Sequence, residues 1–400
     1  PIHGSSILNN DYAALPLTLQ RCLLLVLSHP GRLFEREDKM GTYDIIVVGL
    51  GVMGGAAAYH CAKRGARVLG LDANSFGHQL GSSHGATRAI RETYFEAPDY
   101  VPLVQRSFDM WRDLERESGK SLLSVKGAVY VAPSDHKLLE GVVSSAKQHG
   151  IAYERLSSRQ ANQQFLGFAV PDRWEAVFEY RGGVLQAHDC QKAHVDLARS
   201  LGAILHFGES ALLWSRKDGN YTVTTDQESH TAPKLILTLG PWACELLADL
   251  GLPLSVRRIP VIHFEPKERS RYDAEAMSVY FWATPEGIYA GFPHFDGEGV
   301  KIMRHDRSET CTPGTVRRDV DTADVDEVSR FADKYMPFAN GGVSRSCVCL
   351  YTMTPDNHFV IDRHPELPGL VYATACSGHG FKFAPVIGEV LADLALEGAT

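Results

Sequence analysis

Two regions of the sequence hold residues whose types and spacing suit chemistry. Residues 346–359 read SCVCLYTMTPDNHF, with two cysteines one residue apart and a tyrosine two places further on. In a strand, alternation places Cys347, Cys349 and Tyr351 on one face, with Val348 and Leu350 on the other. A zinc site needs C-x-x-C or a histidine at a suitable distance, with a second ligand pair elsewhere, and neither spacing is present. No metal site is expected. On these residues alone the plain reading is two small core hydrophobes, since free cysteine is among the most buried residue types.

The second region is YDIIVVGLGVMGGAAAYHCAKRGARVLGLD at 43–72, where Gly49, Gly51 and Gly54 form G-x-G-x-x-G. The first glycine permits a tight turn, the second a close backbone approach to a pyrophosphate, and the third close packing of helix on strand. The following helix N-terminus offers free N–H groups and partial positive charge to phosphates. Asp72 ends the second strand about twenty residues on, where a carboxylate holds a ribose hydroxyl. Strand, turn, helix, strand and acidic residue together predict a dinucleotide site. The motif does not separate FAD from NAD, but the acidic strand end argues against NADP.

Several cations complete the set. His84, Arg88 and Arg91 lie in GSSHGATRAIRETY (81–94), predicted as a Gly/Ser loop entering a helix, where residues three apart share a face. A solvated face or a structural salt bridge is the plain alternative. Lys382 sits at the start of the final helix beside SGHG, where a cation opposes the helix dipole unless an anion shares the place. Lys301 lies in the apolar strand GVKIMRH with His305 four residues on, a setting in which lysines commonly snorkel.

The elements that position these residues follow from pattern. A helix is predicted over roughly 96–118, and GAVYVAP follows as a strand. GGVLQAHDCQKAHVDLARSLGAILHF reads as strand, helix, strand, and KLILTLGPWACELL as strand, turn, helix. GIYAGFPHF and GVKIMRHD form a strand pair about DGEG, and the chain closes with strand, glycine turn and helix. The 400 residues are 44% hydrophobic and 22% charged, enough for two domains with real cores. A net charge of −8 gives no basic field for nucleic acid. Eight scattered cysteines without framework spacing favour a reducing compartment, the cytoplasm. No run of 18 apolar residues predicts a membrane span. Residues 1–39 are read as an N-terminal extension, poorly ordered and without chemistry.

From about residue 42 to 400 the chain resembles the monomeric sarcosine oxidase and N-methyltryptophan oxidase family, which also includes pipecolate oxidases. The residues that carry the resemblance are DIIVVGLGVMGGAAAYHCAKRG, GSSHGATRAIR, YVPL, GIYAGFP, CLYTMTPDNHFVIDRHP and SGHGFKFAPVIGEVLADLAL. The resemblance implies an α/β fold: a Rossmann-like FAD-binding domain plus a mixed-sheet substrate (catalytic) domain, as in glycine and D-amino-acid oxidase-like flavoproteins. The expected FAD-binding domain is discontinuous, at 40–122, 187–250 and 353–400, and the substrate domain takes 123–186 and 251–352. By resemblance, Cys349 forms a thioether to the 8α-methyl of FAD, and Cys347 is a packing residue. His84 and Arg88 lie beside the flavin ring, Arg91 and Lys382 on the substrate carboxylate, and Lys301 near flavin N5, where oxygen is activated. His305 and Tyr351 line the substrate pocket. Ser82, Ser83, Gly240, Trp242, Gly378, His379 and Gly380 are further expected cofactor contacts, with Lys382 among them.

The chain departs from the family pattern at three places. Ala290 stands where sarcosine oxidases carry a pocket tyrosine, and Phe281 where they carry a methionine. The family's chain also continues past the final helix whereas this one stops at Thr400, which is expected to cost stability. The implied function is a monomeric FAD-dependent oxidase of secondary amino acids, with a small-molecule amine and O2 as its partners. The amine becomes an imine that hydrolyses, giving formaldehyde from N-methyl substrates, while O2 becomes H2O2. Two alternatives stay open: a noncovalent FAD amino-acid oxidase or dehydrogenase of the glycine oxidase type, and a non-catalytic flavin-binding subunit.

Overall fold

The protein is described here from a computed structural model covering residues 43–295 and 297–400. The expected extension at 1–39 lies outside the described residues. The strand Ile45–Val48 is wholly buried, and its Ile/Val run suits a strand covered on both faces. It lies at the centre of a six-stranded sheet in the order Val360–Arg363, Leu370–Thr374, Leu235–Leu237, Ile45–Val48, Val68–Asp72, Ile204–Phe207. All neighbours in this sheet run parallel except the outermost strand Val360–Arg363. One face packs against the helices Val52–Lys63, Tyr100–Ser118, Ala187–Ser200 and Ala384–Leu396. The other is covered by a three-stranded antiparallel sheet spanning Ala211–Lys217, Asn220–Thr225 and Ser229–Ala232.

The helix Val52–Lys63 is built of small residues where it meets its neighbours. A Cβ on Gly388 of the final helix would lie 2.6 Å from the Ala56 Cβ, so the two helices touch backbone to backbone. The first helix ends as its sequence implies, with Gly65 at φ +82° just beyond the last turn.

A second, nine-stranded sheet is antiparallel apart from the pair Val279–Thr284 and Ala128–Pro133. Its long strands Ser255–Phe264 and Val343–Met353 pair over their whole length. One face buries Trp282, Tyr280 and Phe264 against the helix Thr322–Tyr335. The other, with Phe281, Ala290, Phe292, Met303 and Cys349, turns toward the six-stranded sheet.

One expectation is corrected. Residues 87–90 form a strand, Thr87–Ile90, and do not enter a helix. Its antiparallel pairing with Gly183–Gln186 overrides the local helical preference of Arg and Ala. Arg88 and Arg91 therefore do not share a helical face. The next helix begins at Tyr100, four residues later than the pattern suggests.

Candidate active site

A cavity of about 400 Å³ runs between the two large sheets. At one end stands the glycine turn. Gly49 adopts φ +89°, and a Cβ there would collide with the Thr238 carbonyl. A Cβ on Gly54 would collide with the Gly49 carbonyl and come 2.5 Å from Thr238 Oγ1. Gly51 precedes the helix, and Val52 N donates to Ser83 Oγ at 3.0 Å. The Asp72 carboxylate accepts from Leu50 N at 2.8 Å and from Asn74 N at 2.9 Å, which ties the second strand end to the turn. A carboxylate has about four acceptor sites, so these two bonds leave capacity for ribose hydroxyls. Gly49, Gly51, Asp72, Ser83, Gly240 and Trp242 line this end; Gly54 sits behind it as a packing position.

The strand Val343–Met353 forms the wall further along. Cys349 and Tyr351 line the cavity, whereas Val348 and Leu350 pack into a separate cluster behind the strand, Leu350 also bordering the cavity. Cys349 is buried, with its Sγ 3.9 Å from the Ser82 carbonyl. Cys347 shares the face but does not line the cavity. Ser82 Oγ donates to Leu350 O at 2.7 Å, stitching the 81–88 loop to this strand. Arg88 holds the loop itself, donating to Thr87 O at 2.9 Å, Ser82 O at 3.0 Å and His84 O. His84 does not face the cavity. Its Nε2 meets Val348 O at 3.1 Å, and burial, then the charge of Arg88, push its pKa down to about 4, so it acts as a neutral tether.

Lys301 is buried and lines the cavity. Its Nζ donates to Thr87 O at 3.0 Å and Thr87 Oγ1 at 3.3 Å and lies 4.3 Å from the Phe292 ring centre. Burial first, then nearby Arg88, push its pKa down to about 7. His305 lies on the same wall, its Nδ1 3.2 Å from Tyr351 Oη, and burial lowers its pKa to about 4. The SGHG turn closes over Tyr351: a Cβ on Gly378 (φ +78°) would lie 2.5 Å from that ring, and one on Gly380 would lie 2.9 Å from Cys376 Sγ.

Lys382 is 4% exposed, in a 3-10 turn just before the final helix. Its Nζ donates to His379 O at 2.6 Å and Tyr94 Oη at 3.3 Å, both neutral oxygens. Burial and then Arg91 hold its pKa well below the ordinary lysine range. His379 is fixed in turn, with Nδ1 2.6 Å from Tyr94 Oη and Nε2 3.0 Å from Asn357 O. Arg91 is 1% exposed and donates to Thr93 O at 2.9 Å and to both oxygens of Glu96, one at 2.6 Å. Burial opposes the charge on Glu96, but Arg91 wins and holds that carboxyl down at about 2. The Arg91 guanidinium lies 4.2 Å from the Tyr94 ring centre, 4.3 Å from Phe95 and 5.2 Å from Phe281.

Phe281 and Ala290 are direct cross-strand partners in the hairpin of Val279–Thr284 and Gly287–Phe292, and both line the cavity. Tyr130 stacks on Phe281 with ring centres 5.4 Å apart. Three positions escaped sequence reasoning. Glu96 lies five residues from Arg91, close enough to have been found by charge pairing. Tyr130 gives no local sign. Glu179, fully buried, accepts from Glu92 N at 2.7 Å and Thr93 N at 2.6 Å and so anchors the segment after Arg91 from 86–87 residues away.

The glycine turn, Asp72 and a cavity reaching Cys349 fit a long dinucleotide. The sequence profile of the family described as "DAO: FAD dependent oxidoreductase" matches residues 44–394. The chain belongs to that family. This DAO-family chain is 38% identical to a monomeric sarcosine oxidase of Streptomyces avermitilis over 365 residues, 90% of this chain and 95% of the relative. It is 32% identical to an N-methyl-L-tryptophan oxidase of Yersinia pestis over 354 residues, 88% and 94% of the two chains. Among solved structures, NikD, described as an unusual amino acid oxidase essential for nikkomycin biosynthesis, superposes with TM-score 0.80 at 27% identity, covering 90% of this chain and 95% of that one. The DAO fold expected from the sequence is therefore the fold of this protein, and its cofactor is FAD.

Proposed function

We propose that this FAD-dependent oxidoreductase is an oxidase of secondary amino acids, N-methyl or cyclic. The observation that carries the reading is the meeting of Cys349, Lys301, the Arg91–Lys382 cation pair and the Phe281–Ala290 hairpin around one cavity. Gly49, Gly51, Asp72, Ser82, Ser83, Gly240 and Trp242 would hold the cofactor, and Gly378, His379 and Gly380 would shape its far end. Bound FAD supplies the two-electron oxidation of the amine and the transfer of those electrons to O2 as H2O2.

Lys382 and Arg91 orient the substrate by its carboxylate. Among the described residues Lys382 is satisfied only by neutral oxygens and Arg91 keeps a buried Nε–H without a partner, so an incoming anion finds both charge and a donor. Cation and carboxylate fix one end of the amino acid, leaving the N-alkyl or ring carbon to face the redox centre. His305 is neutral and hydrogen-bonded to Tyr351, so these two side chains present polar atoms without charge. Lys301 supplies a fixed positive charge, when protonated, for the reduction of oxygen. The imine product hydrolyses, giving formaldehyde when an N-methyl group is lost.

Cys349 is the proposed covalent anchor: its sulfur would bond to the 8α-methyl carbon of FAD, with its S–H and one methyl C–H bond broken, and the two electrons and two protons released would pass to O2 as H2O2. The distribution of strands supports the two-domain division: the six-stranded sheet draws on 40–122, 187–250 and 353–400, and the nine-stranded sheet on 123–186 and 251–352, its last strand running one residue further to Met353. A small sheet of Thr87–Ile90, Gly183–Gln186 and Leu123–Val125 crosses between them. Free thiols at Cys61, Cys190, Cys244, Cys311, Cys347, Cys349 and Cys376 support a reducing compartment, and we assign the protein as a cytoplasmic monomer. The test is peroxide release by the purified chain with sarcosine, pipecolate and N-methyltryptophan, together with flavin colour retained after acid precipitation. Peroxide without retained colour would favour a noncovalent oxidase.

A further inference from the structure

Away from the cavity, on the sheet face that carries the strands Ala211–Lys217, Asn220–Thr225 and Ser229–Ala232, three side chains converge. His206 lies in the strand Ile204–Phe207, Glu209 in the turn after it, and His230 in Ser229–Ala232. His206 Nδ1 is 2.6 Å from Glu209 Oε2 and His230 Nε2 is 2.8 Å from Glu209 Oε1. One ligand atom from each residue lies within 4.8 Å of the others. None of the three lines the cavity.

We propose that His206, Glu209 and His230 bind a divalent transition-metal ion of the zinc type. Two imidazoles and one carboxylate, with a fourth position left to water, form a donor set that zinc accepts. In a tetrahedral site with metal–ligand distances near 2.0–2.2 Å, donor atoms stand about 3.3 Å apart. Each imidazole nitrogen stands about 0.5–0.7 Å closer to its carboxylate oxygen than that, and the two nitrogens, within 4.8 Å of one another, would close on the ion as they move back from the carboxylate.

The surroundings support a built site. Glu209 is 2% exposed and His230 7%, while His206 is partly exposed and leaves a path for the ion. Thr225 Oγ1 donates to Glu209 Oε1 at 2.8 Å, the outer-shell bond that orients a ligating carboxylate. Without metal, the imidazole N–H groups face the carboxylate. Binding moves each proton to the far nitrogen, Nε2 of His206 and Nδ1 of His230. The site also touches the cofactor end of the molecule, since Gly208 N and Glu209 N donate to Asp72 O at 2.9 and 3.0 Å. Metal at Glu209 would thus brace the strand end that carries Asp72. This inference is independent of the proposed substrate.

The experiment titrates chelator-treated, FAD-loaded protein with Co2+ and then displaces it with Zn2+. The expected result is one equivalent of Co2+ with visible d–d bands and no thiolate charge-transfer band. Zn2+ should raise the thermal midpoint and shift the imidazole 15N resonances of two histidines to the other tautomer. His230→Ala and Glu209→Gln should each weaken binding at least tenfold, and Thr225→Val roughly tenfold or more. His206→Asn, at the partly exposed position, gives a second test if a buried variant fails to fold. No stoichiometric uptake, uptake unchanged in His206→Asn, or a thiolate band would each overturn the proposal.

Discussion

Cys349 and Cys347 occupy the same face of one strand, yet only Cys349 lines the cavity. Replacing Cys349 by serine should leave protein that releases its flavin on denaturation, whereas Cys347→Ser should keep flavin on the tryptic peptide. Bound flavin in denatured Cys349→Ser protein would contradict the assignment. In the proposed function Lys301 is the second residue with a separable role. Lys301→Met should slow flavin reoxidation by roughly 100- to 1000-fold, as loss of a preorganised charge does, and largely spare anaerobic reduction by substrate. Stopped-flow measurement of both half-reactions decides this; equal slowing would remove the role. The pH sign follows from its pKa near 7 in the cofactor-free protein. The ammonium is lost as pH rises through its midpoint, so oxygen reactivity should fall at alkaline pH and become pH-independent in the variant. Negative charge on the cofactor moves that midpoint up without changing the sign.

The hairpin of Val279–Thr284 and Gly287–Phe292 sets the pocket at the scale of elements. Its register places Phe281 opposite Ala290, so one large and one small side chain share a patch of wall. Tyr130 stacking behind Phe281 holds that ring in place. Ala290→Tyr should narrow the cavity and shift preference toward sarcosine; apolar pocket changes of methylene size are worth about 1–3 kcal/mol in discrimination. A steady-state kcat/KM ratio of pipecolate to sarcosine that does not fall in Ala290→Tyr would show that the residue does not shape specificity. Elements also explain what could be read from the sequence. Alternation in CVCLY and the glycine turn are local, and the structure keeps both as read. The strand Thr87–Ile90 was misread because its partner Gly183–Gln186 lies almost a hundred residues away and leaves no mark on TRAI. Glu179 was missed for the same reason: a buried glutamate near the end of an ordinary strand acquires its meaning from the Glu92 and Thr93 amides. Strand pattern left Lys301 between a snorkelling lysine and a site residue, and only the resemblance pointed to the site; in the fold its Nζ meets Thr87.

At the scale of the whole molecule, enclosing two lysines between two sheets has a cost in folding. Lys301 titrates near 7 in the folded protein against 10.5 as the ordinary value, and Lys382 is displaced in the same direction. The unfolded chain therefore binds more protons between those values, and stability of the apoprotein should rise with pH across that window. Buried thiols such as Cys61 and Cys190 and buried tyrosines such as Tyr280 act in the opposite direction, but only near and above their ordinary 9.0 and 10.0, where the fold keeps protons that the unfolded chain loses. Denaturant unfolding of apoprotein from pH 7 to 9 measures this, and a falling trend would contradict the buried-lysine picture. In the proposed function, the same enclosure takes the substrate carboxylate at Arg91 and Lys382 and leaves room beside Ala290 for more than a methyl group. The most direct test is O2 uptake and peroxide release by purified holoprotein across matched amines: glycine, sarcosine, N-methylalanine, proline, pipecolate, N-methyltryptophan, and an N-methyl amine lacking a carboxylate. The expected result is one H2O2 per amine oxidised, higher kcat/KM for a bulkier N-methyl or cyclic amino acid than for sarcosine, and little turnover of glycine or the carboxylate-free amine. Preference for glycine, or turnover indifferent to the carboxylate, would contradict the proposed oxidation of secondary amino acids in this cavity.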